Sequence, residues 1–311
     1  MATDSEAQGA EIQQPRVESE AEPPVQPSTP PERATGALPL LSQLFSLQGQ
    51  VAVITGGTGV LGGAMARALA QAGAKVGVLG RHRERAEAVA QDIKEAGGQA
   101  MPLIADVLDR KQLEAVRADV LEEWGRIDIL VNVAGGNMPS ATLAPGQVFF
   151  ELPVEGMSQV IALNLEGTLL PSQVFGEAMA RAGRGCIVNI SSMAVQRAMT
   201  RVVGYGVAKA GVENATRWLA TELARSFGGH LRVNAIAPGF FLGEQNRALL
   251  VNEEESLTAR GQLVVDHTPA GRFGKPHELA STLIWLCGPG ASFVNGVVVP
   301  VDGGFSAFSG V

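Results

Sequence analysis

From residue 49 onward, short β-rich runs alternate regularly with longer helical patterns, and this alternation constrains the fold more than any other feature of the chain. Such an order is typical of strand–helix–strand crossovers, which build a parallel sheet with helices on both faces. The runs are almost continuously apolar, as expected of strands buried on both faces. We therefore predict an α/β fold: one doubly wound domain of the Rossmann type with a seven-stranded parallel sheet.

The individual elements follow from these patterns. Strands are predicted at 51–55, 75–80, 99–104, 127–133, 186–191, 231–237 and 297–301. Helices are predicted at 61–72, 83–96, 110–124, 156–182, 205–227, around 244–260 and at 276–287.

The N-terminal segment has a different composition. Residues 1–37 hold seven acidic and two basic side chains, and prolines stand at 15, 23, 24, 27, 30, 31 and 39. Such a composition cannot bury enough apolar surface to fold. We predict a disordered acidic tail over residues 1–45 and the folded domain over 46–311, with an interaction arm as the alternative reading of the tail.

Charge and composition restrict the partners. The net charge is −7, most of it in the tail, and no basic stripe exists that could hold a phosphate backbone, so no nucleic-acid partner is expected. The four histidines show no two-ligand spacing, and no metal is expected. Cys186 and Cys287 are predicted to be buried free thiols, which suits a reducing cytoplasm. No membrane segment or signal peptide is recognisable.

A glycine-rich turn joins the first strand to the first helix of the domain. The segment 55–62 reads TGGTGVLG, and it contains the spacing Gly57-x-Gly59-x-x-Gly62. In a doubly wound sheet this turn is where a dinucleotide diphosphate binds, because small residues allow close approach and the helix N-terminus attracts an anion. The predicted contacts are Gly56, Thr58, Gly59, Val60 and Leu61; a turn that serves packing alone is the alternative.

The end of the second strand bears on which cofactor binds. An acidic residue there ordinarily binds the ribose hydroxyls of NAD, but Arg81 follows Gly80 instead. A guanidinium suits a 2′-phosphate, so NADP is predicted, with NAD as the alternative. Asp106 and Val107 follow the third strand and are predicted to contact the adenine, although Asp106 could instead cap the next helix.

A tyrosine and a lysine form the second candidate site. Tyr205 and Lys209 are four residues apart and share one face of a predicted helix, and Ser192 ends a predicted strand upstream. A phenol exchanges protons poorly near neutrality, but a nearby ammonium and an oxidised nicotinamide would lower its pKa. The pattern predicts that Tyr205 acts as an acid and base in hydride chemistry.

These motifs together resemble the short-chain dehydrogenase/reductase superfamily over residues 46–311. The resemblance is carried by segment 55–62, the turn 132–135, Asn164, Ser192, the Tyr205-x-x-x-Lys209 pair and Pro238–Gly239. Two departures occur, because Val60 stands where the family has its middle glycine and Val133 where it has a second asparagine.

The resemblance implies a role for each residue. Tyr205 would donate the proton in reduction, Lys209 would lower the pKa of Tyr205 and hold the nicotinamide ribose, and Ser192 would bind the substrate carbonyl. Asn164 would hold a water for proton relay. The further contacts implied with the cofactor are Asn132, Ala134, Gly135, Pro238 and Gly239.

Four further segments are similar to one branch of that superfamily, the D-mannonate oxidoreductases or fructuronate reductases. They are 134–139 (AGGNMP), 167–173 (GTLLPSQ), 237–250 (APGFFLGEQNRALL) and 302–311 (DGGFSAFSGV), with Gly243 in place of an expected threonine. The resemblance implies a small sugar-acid substrate, D-fructuronate, reduced to D-mannonate. Another ketone, such as 5-ketogluconate or a 3-oxoacyl thioester, and a nucleotide-binding scaffold without turnover are the alternatives.

Several polar residues could recognise a sugar acid. Arg197 and Arg201 lie between Ser192 and Tyr205, on the expected wall of the substrate pocket, while Gln245, Asn246 and Arg247 lie on the expected lid. Each arginine could equally be a solvated surface residue. In this superfamily, long apolar helices such as those predicted at 156–182 and 205–227 imply a homotetramer, although the apolar sides could instead cover the sheet.

Overall fold

The computed structural model describes residues 38–243 and 246–310. Its seven strands pair in parallel and form one sheet. The strands are β1 (Val51–Thr55), β2 (Lys75–Gly80), β3 (Gln99–Ile104), β4 (Ile129–Asn132), β5 (Gly185–Ile190), β6 (Leu231–Pro238) and β7 (Val298–Val301). Their order across the sheet is β3-β2-β1-β4-β5-β6-β7. The predicted α/β fold with a seven-stranded parallel sheet is confirmed.

Ten α-helices accompany the sheet within the described residues. They are α1 (Leu38–Phe45), α2 (Val60–Gln71), α3 (Arg83–Glu95), α4 (Arg110–Trp124), α5 (Val154–Ile161), α6 (Gly167–Arg181), α7 (Val203–Phe227), α8 (Arg247–Leu250), α9 (Ala259–Asp266) and α10 (Ala280–Cys287). A single 3₁₀ turn at Pro276–Leu279 leads into α10.

The long helix predicted at 156–182 is interrupted. A π-helical segment, Ala162–Glu166, separates α5 from α6. Such a bulge widens one turn and leaves a local irregularity that often lies at a functional site. The apolar periodicity continues through it, so the sequence pattern alone shows no break.

The helix predicted around 244–260 is likewise two short helices, α8 and α9. Between them Val251 pairs with Leu257 as an isolated antiparallel bridge, and Glu255 adopts a positive φ of 66°. The Thr258 hydroxyl accepts a hydrogen bond from the Gly261 amide and so begins α9. Residues 244 and 245 lie outside the described residues.

The last eight residues of the predicted tail form α1, so the expectation of disorder up to residue 45 is wrong over this stretch. The segment following Pro39 is apolar, and the backbone of Leu44 packs closely on Gly288 and Gly290. Leu44 is partly buried, whereas the side chains at 39–43 and 45 are exposed. Residues 1–37 lie outside the described part of the chain.

Two apolar layers cover the sheet. On one face, Met65 and Leu69 of α2 pack with Leu283 and Leu286 of α10 in one buried cluster. On the other face, residues of α4 and α6 such as Leu113 and Phe175 form a second cluster. Because helices hold both faces, the functional surface is left at the carboxyl ends of the strands.

The strand order reverses between β1 and β4. The chain runs outward from β1 to β2 and β3, then returns to place β4 on the other side of β1. At such a switch point the loops after the two strands diverge and leave a crevice in which ligands bind. The glycine-rich turn and the turn after β4 meet there.

Candidate active site

The turn between β1 and α2 is packed so closely that two of its positions admit only glycine. Gly56 has a φ of +63°, and a Cβ built on it would lie 2.8 Å from the Ala134 nitrogen. A Cβ on Gly62 would lie 2.1 Å from the carbonyl oxygen of Gly56. Glycine at these two positions therefore lets the turn pack directly against the backbone around it.

The N-terminus of α2 is suited to an anion. Gly59 is its N-cap and supplies no side-chain acceptor, so the first N–H groups of the helix are available. Val60 replaces the expected family glycine, but its side chain is exposed and does not fill the turn. The uncapped helix and the glycine cradle fit a dinucleotide diphosphate, with Thr58, Val60 and Leu61 next to it.

The adenosine end of the crevice lies at the carboxyl end of β2. A Cβ on Gly80 would lie 2.6 Å from the Thr58 methyl carbon, so a larger residue would displace Thr58. The Arg81 guanidinium is exposed and lies 3.9 Å from the Asp106 carboxylate. A basic group at this position could meet a 2′-phosphate, and its partner acid could hold it in place.

The alternative role considered for Asp106 does not occur. Asp109, not Asp106, caps α4, because its carboxylate accepts hydrogen bonds from the Lys111 and Gln112 amides. Asp106 instead accepts from the Leu108 amide at 2.9 Å. Val107 is buried in the second apolar cluster, so only its backbone could contact a cofactor.

The side chain of Asn132 points away from the crevice. Its amide nitrogen donates to the Ser172 hydroxyl and to the Asn189 side chain, both at 2.9 Å, inside the protein. Any contact of Asn132 with a cofactor would use its backbone. The following turn is tied to β1 through the Thr55 hydroxyl, which accepts from the amides of Val133 at 3.1 Å and Ala134 at 3.2 Å.

Asn164 lies in the π-helical segment, and its side chain binds the turn after β4 on both sides. Its Oδ1 accepts from the Gly136 amide at 2.9 Å, and its Nδ2 donates to the Gly136 carbonyl at 2.7 Å. A Cβ on Gly135 would lie 2.6 Å from this Oδ1 and 3.4 Å from the Lys209 ammonium. The structure thus brings Asn164, Gly135 and Lys209 together.

The three remaining predicted catalytic side chains meet where β5 ends. Ser192 lies beside Tyr205 and lowers its pKa, and the Lys209 ammonium lies 5.7 Å from the centre of the Tyr205 ring. Lys209 is buried and donates to the Ile190 carbonyl at 2.7 Å. A proton donor, a second hydroxyl and a cation therefore share one side of the crevice.

The pKa of the tyrosine differs from the prediction. We expected Lys209 to lower the pKa of Tyr205, but in the protein alone burial raises it, and the hydrogen bond with Ser192 offsets this only in part. Burial also lowers the pKa of Lys209 to about 8. The reason is that an apolar enclosure disfavours both charged forms, whereas the sequence shows only their spacing.

Pro238 ends β6, and Gly239 follows it beside the C-terminal segment. The Gly239 amide donates to the Val301 carbonyl at 3.0 Å, and a Cβ on Gly239 would lie 2.7 Å from the Cα of Asp302. This close approach requires glycine. The contact also places Gly239, which begins the loop leading to the predicted lid residues 245–247, next to Asp302.

The loop 193–202, between Ser192 and α7, contacts the C-terminal segment and α9. Arg197 donates to the carbonyls of Ser306 at 2.8 Å and Phe308 at 3.0 Å, which ties down the C-terminal segment. Thr200 accepts from Arg260 of α9 at 3.3 Å. Arg197 is therefore occupied by backbone carbonyls and does not fit its predicted role toward a substrate carboxylate.

Arg201 has a different environment from Arg197. Its Nε donates to the Leu143 carbonyl, and its own carbonyl accepts from the Leu143 amide at 3.0 Å. Its φ is +75°, a conformation that costs about 1 kcal/mol or more in a residue other than glycine. The bond to Leu143 uses Nε, so the terminal nitrogens of this guanidinium remain suited to an anion.

The predicted lid residues bind within the lid. Asn246 accepts from the Gly243 amide at 2.8 Å and donates to the Phe241 carbonyl at 2.9 Å. Arg247 forms an ion pair with Glu255. Gln245 lies outside the described residues. Asn246 and Arg247 thus shape the lid in this structure.

Three residues at the site make side-chain contacts that the sequence did not predict: Thr55, Ser191 and Glu213. Glu213 had a signal, because it continues the four-residue spacing of Tyr205 and Lys209 along α7. Thr55 and Ser191 end strands, as many ordinary residues do, and only the tertiary contacts distinguish them.

Metal ligands and membrane spans are both absent from the described residues, 38–243 and 246–310. No group of three or more His, Cys, Asp or Glu side chains there could hold a metal ion together. No helix in the same part of the chain is both long and apolar enough to cross a membrane.

Comparison with known proteins agrees with this geometry. A family model described as enoyl-(acyl carrier protein) reductase matches residues 57–306. An uncharacterized oxidoreductase of Bacillus subtilis (strain 168), UxuB, is 46% identical over 275 residues, which cover 86% of this chain and 98% of that protein.

Two crystal structures are similar over most of the chain. One is a candidate D-mannonate oxidoreductase from Haemophilus influenza with bound NAD, 39% identical, with a TM-score of 0.80, covering 87% of this chain and 100% of that one. The other is a gluconate 5-dehydrogenase from Burkholderia cenocepacia J2315 with NADP and tartrate, 30% identical, with a TM-score of 0.77, covering 86% and 99%.

The switch-point crevice, the glycine cradle and the Ser192–Tyr205–Lys209 group agree with these similarities, which extend over most of the chain. The chain belongs to the short-chain dehydrogenase/reductase superfamily and is an NAD(P)-dependent oxidoreductase that acts on CH–OH groups.

Proposed function

We propose that this enzyme reduces the ketone of a sugar acid, D-fructuronate, to the alcohol of D-mannonate, with NADPH as the preferred reductant. The observation that carries the reaction type is the meeting of Ser192, Tyr205 and Lys209 at the end of β5. Similarity to a candidate D-mannonate oxidoreductase and to a gluconate 5-dehydrogenase supports a sugar-acid substrate.

The residues that would hold the cofactor follow the crevice. The diphosphate would lie against Gly56, Thr58, Gly59, Val60 and Leu61, where the α2 N-terminus favours negative charge. At the adenosine end Arg81, Asp106 and Val107 would contact the cofactor. The nicotinamide half would meet Asn132, Ala134, Gly135, Lys209, Tyr205, Pro238 and Gly239. When bound, the reduced nicotinamide supplies the hydride.

The protein's own groups then handle the proton and the developing charge. Hydride arrival at the ketone carbon breaks the C=O π bond and leaves an alkoxide oxygen. The Ser192 hydroxyl would donate a hydrogen bond to that oxygen, and Tyr205 would transfer its phenolic proton to it. Lys209 would stabilise the resulting phenolate, and Asn164 would hold the water through which Tyr205 regains a proton.

We assign recognition of the substrate carboxylate to Arg201. Its backbone is held in an unfavourable conformation by reciprocal bonds with Leu143, while the bond from Nε leaves the terminal nitrogens for a carboxylate. Arg197, in the same pocket-wall segment of the sequence, binds backbone carbonyls instead. The two arginines therefore form a matched pair for a test.

A panel of ketones with NADPH and NADH tests the proposed function. We expect the highest kcat/KM for D-fructuronate, lower values for 5-ketogluconate, and little turnover of neutral ketones or 3-oxoacyl thioesters. A 5-ketogluconate rate above that of fructuronate would favour the second candidate, a gluconate 5-dehydrogenase, which similarity to the Burkholderia enzyme supports. Preference for a thioester would overturn the sugar-acid assignment.

The carboxylate assignment needs its own test. Arg201→Gly removes the guanidinium but accepts the positive φ. We expect it to raise the KM for fructuronate about 10-fold or more, with a much smaller change for a neutral ketone, because a charge-assisted bond is lost. Arg197→Ala should raise both KM values alike; equal changes with Arg201→Gly would remove the proposed role.

Tyr205→Phe tests the proton donor. Loss of a positioned general acid costs about 10²- to 10⁴-fold in rate, so kcat should fall by that factor. NADPH affinity, measured by fluorescence titration, should change little because the aromatic ring remains. Retained turnover would refute the assigned role.

The setting of the enzyme is also proposed. The free thiols of Cys186 in β5 and Cys287 in α10 are both buried and suit a cytoplasmic location. A homotetramer is proposed from the exposed apolar side chains of α7 and of the segment before α5.

A further inference from the structure

Helix α7 contacts three consecutive residues at the end of β5 through side chains spaced four residues apart. Lys209 donates to the Ile190 carbonyl at 2.7 Å, Glu213 accepts from the Ser191 hydroxyl at 2.9 Å, and Tyr205 lies beside Ser192, which lowers its pKa. Side chains with this spacing lie along one face of a helix. The first two belong to the site already described, and the third has no role there.

Glu213 is a buried acid with few partners. It is 5% exposed, and Ser191 is 1% exposed. Its other contact is the Arg217 guanidinium at 3.2 Å, whose side chain is largely in solvent. A carboxylate loses its hydration when it is buried. The Ser191 hydroxyl and the half-exposed Arg217 guanidinium replace that hydration only in part. An apolar residue would cover the sheet at lower cost, so packing does not explain Glu213.

Both polar ends of Ser191 are held. Its amide donates to the Ile236 carbonyl of β6 at 2.8 Å, and its hydroxyl donates to Glu213. Ser192 follows in an extended conformation, and its Oγ accepts from the Ala194 amide at 3.2 Å. The direction of the Ser192 hydroxyl therefore depends on how Ser191 is fixed.

We propose that Glu213 is a positioning residue, which acts through the Ser191 hydroxyl to hold Ser192 at hydrogen-bonding distance from Tyr205. The proposal rests on the catalytic roles proposed for Ser192 and Tyr205. Burial is the main influence on the pKa of both Lys209 and Tyr205, so the role proposed for Glu213 is one of position and not of charge.

The chain offers a direct readout, because Tyr205 is its single tyrosine. The ultraviolet difference band of tyrosinate therefore reports the ionisation of this residue alone, in the holoenzyme with NADP⁺ and without any ketone. In Glu213→Ala and in Ser191→Ala, the titration midpoint should move upward, because Ser192 no longer favours the phenolate. The kcat for fructuronate should fall about 10-fold, with the Kd for NADPH unchanged.

Three further variants separate positioning from stability. The double variant Ser191→Ala with Glu213→Ala should lose no more than either single variant, because the residues act as one unit. Glu213→Gln keeps an acceptor oxygen and should restore both the midpoint and kcat. Thr216→Val is the matched control, since Thr216 accepts from Asn189 of β5 at 2.9 Å on the same helix; it should lower Tm alone.

The proposal is overturned if Glu213→Ala and Ser191→Ala leave the midpoint unchanged, if their effects add, or if Thr216→Val shifts the midpoint equally. Should Glu213→Ala fail to fold, Ser191→Ala alone decides, because it removes the same hydrogen bond and keeps the Glu213 side chain in place. The titration needs no ketone, so a wrong substrate assignment would leave its outcome intact and is distinguished from failure of this proposal.

Discussion

At the scale of single residues, Lys209 combines burial with charge. Burial lowers its pKa from 10.5 to about 8, while the amine of the unfolded chain keeps its ordinary pKa. Between about pH 8 and 10.5 the unfolded state therefore binds more protons than the folded state, and the contribution of Lys209 to stability rises with pH. Below about pH 8 the full cost of the buried cation remains.

Lys209→Met removes this titration. We expect the free energy of unfolding of the wild type to gain roughly 2 kcal/mol relative to the variant between about pH 7.5 and 9.5, as the burial penalty disappears. Urea denaturation of both proteins without cofactor at the two pH values measures the difference. A difference that stays constant with pH would show that the ammonium is not destabilised by its surroundings.

Arg81 governs the proposed choice of cofactor. Arg81→Ala should lower kcat/KM for NADPH about 10- to 100-fold and leave that for NADH nearly unchanged, because only NADPH has a 2′-phosphate. Arg83→Ala is the matched control, since Arg83 is similarly exposed and pairs with Glu87 at 3.4 Å. Equal losses with both cofactors would assign Arg81 to structure.

At the scale of elements, glycine has two different roles in the turn into α2: Gly62 allows close packing, and Gly59 leaves room for the cofactor. Gly62→Ala should cost about 1–3 kcal/mol of stability, because its Cβ would lie 2.1 Å from the Gly56 carbonyl and the turn must shift. Gly59→Ala meets no atom closer than 3.5 Å and should keep the wild-type Tm, but its methyl would lie in the cradle and weaken NADPH binding. Thermal unfolding and fluorescence titration distinguish these effects; a normal Tm for Gly62→Ala would contradict the packing argument.

How well each element could be predicted depended on local signals. Helix α4 matches its predicted bounds, because Asp109 caps its start and Gly125, with a φ of 73°, ends it. The π-helical segment and the break between α8 and α9 carry no such signal. The π-helical segment is accompanied by the contact of Asn164 with Gly136, which lies 28 residues away in the chain. The break between α8 and α9 is accompanied by the pairing of Val251 with Leu257 across a turn.

At the scale of the whole molecule, apolar side chains remain exposed on one helix and the segment before α5. Val207, Trp218 and Phe227 of α7 and Phe150 are each at least half exposed. Large exposed apolar side chains of this kind mark protein interfaces. We expect mass photometry to give a particle of about four times the chain mass of 32.4 kDa. Trp218→Asp should shift it to smaller species; a monomeric wild type would contradict the proposed homotetramer.

The sequence by itself determined the parallel sheet, the glycine-rich turn between its first strand and first helix, and the grouping of Tyr205 with Lys209. Apolar runs indicate strands that are buried on both sheet faces, and the four-residue spacing of Tyr205 and Lys209 indicates a shared helix face. Both patterns are contained within short stretches of the chain. The tertiary structure alone decided which arginine remains available for a carboxylate, that Asn132 turns inward, and that Glu213 reaches Ser191. Those outcomes depend on contacts between segments far apart in the chain, and residue spacing carries no information about them.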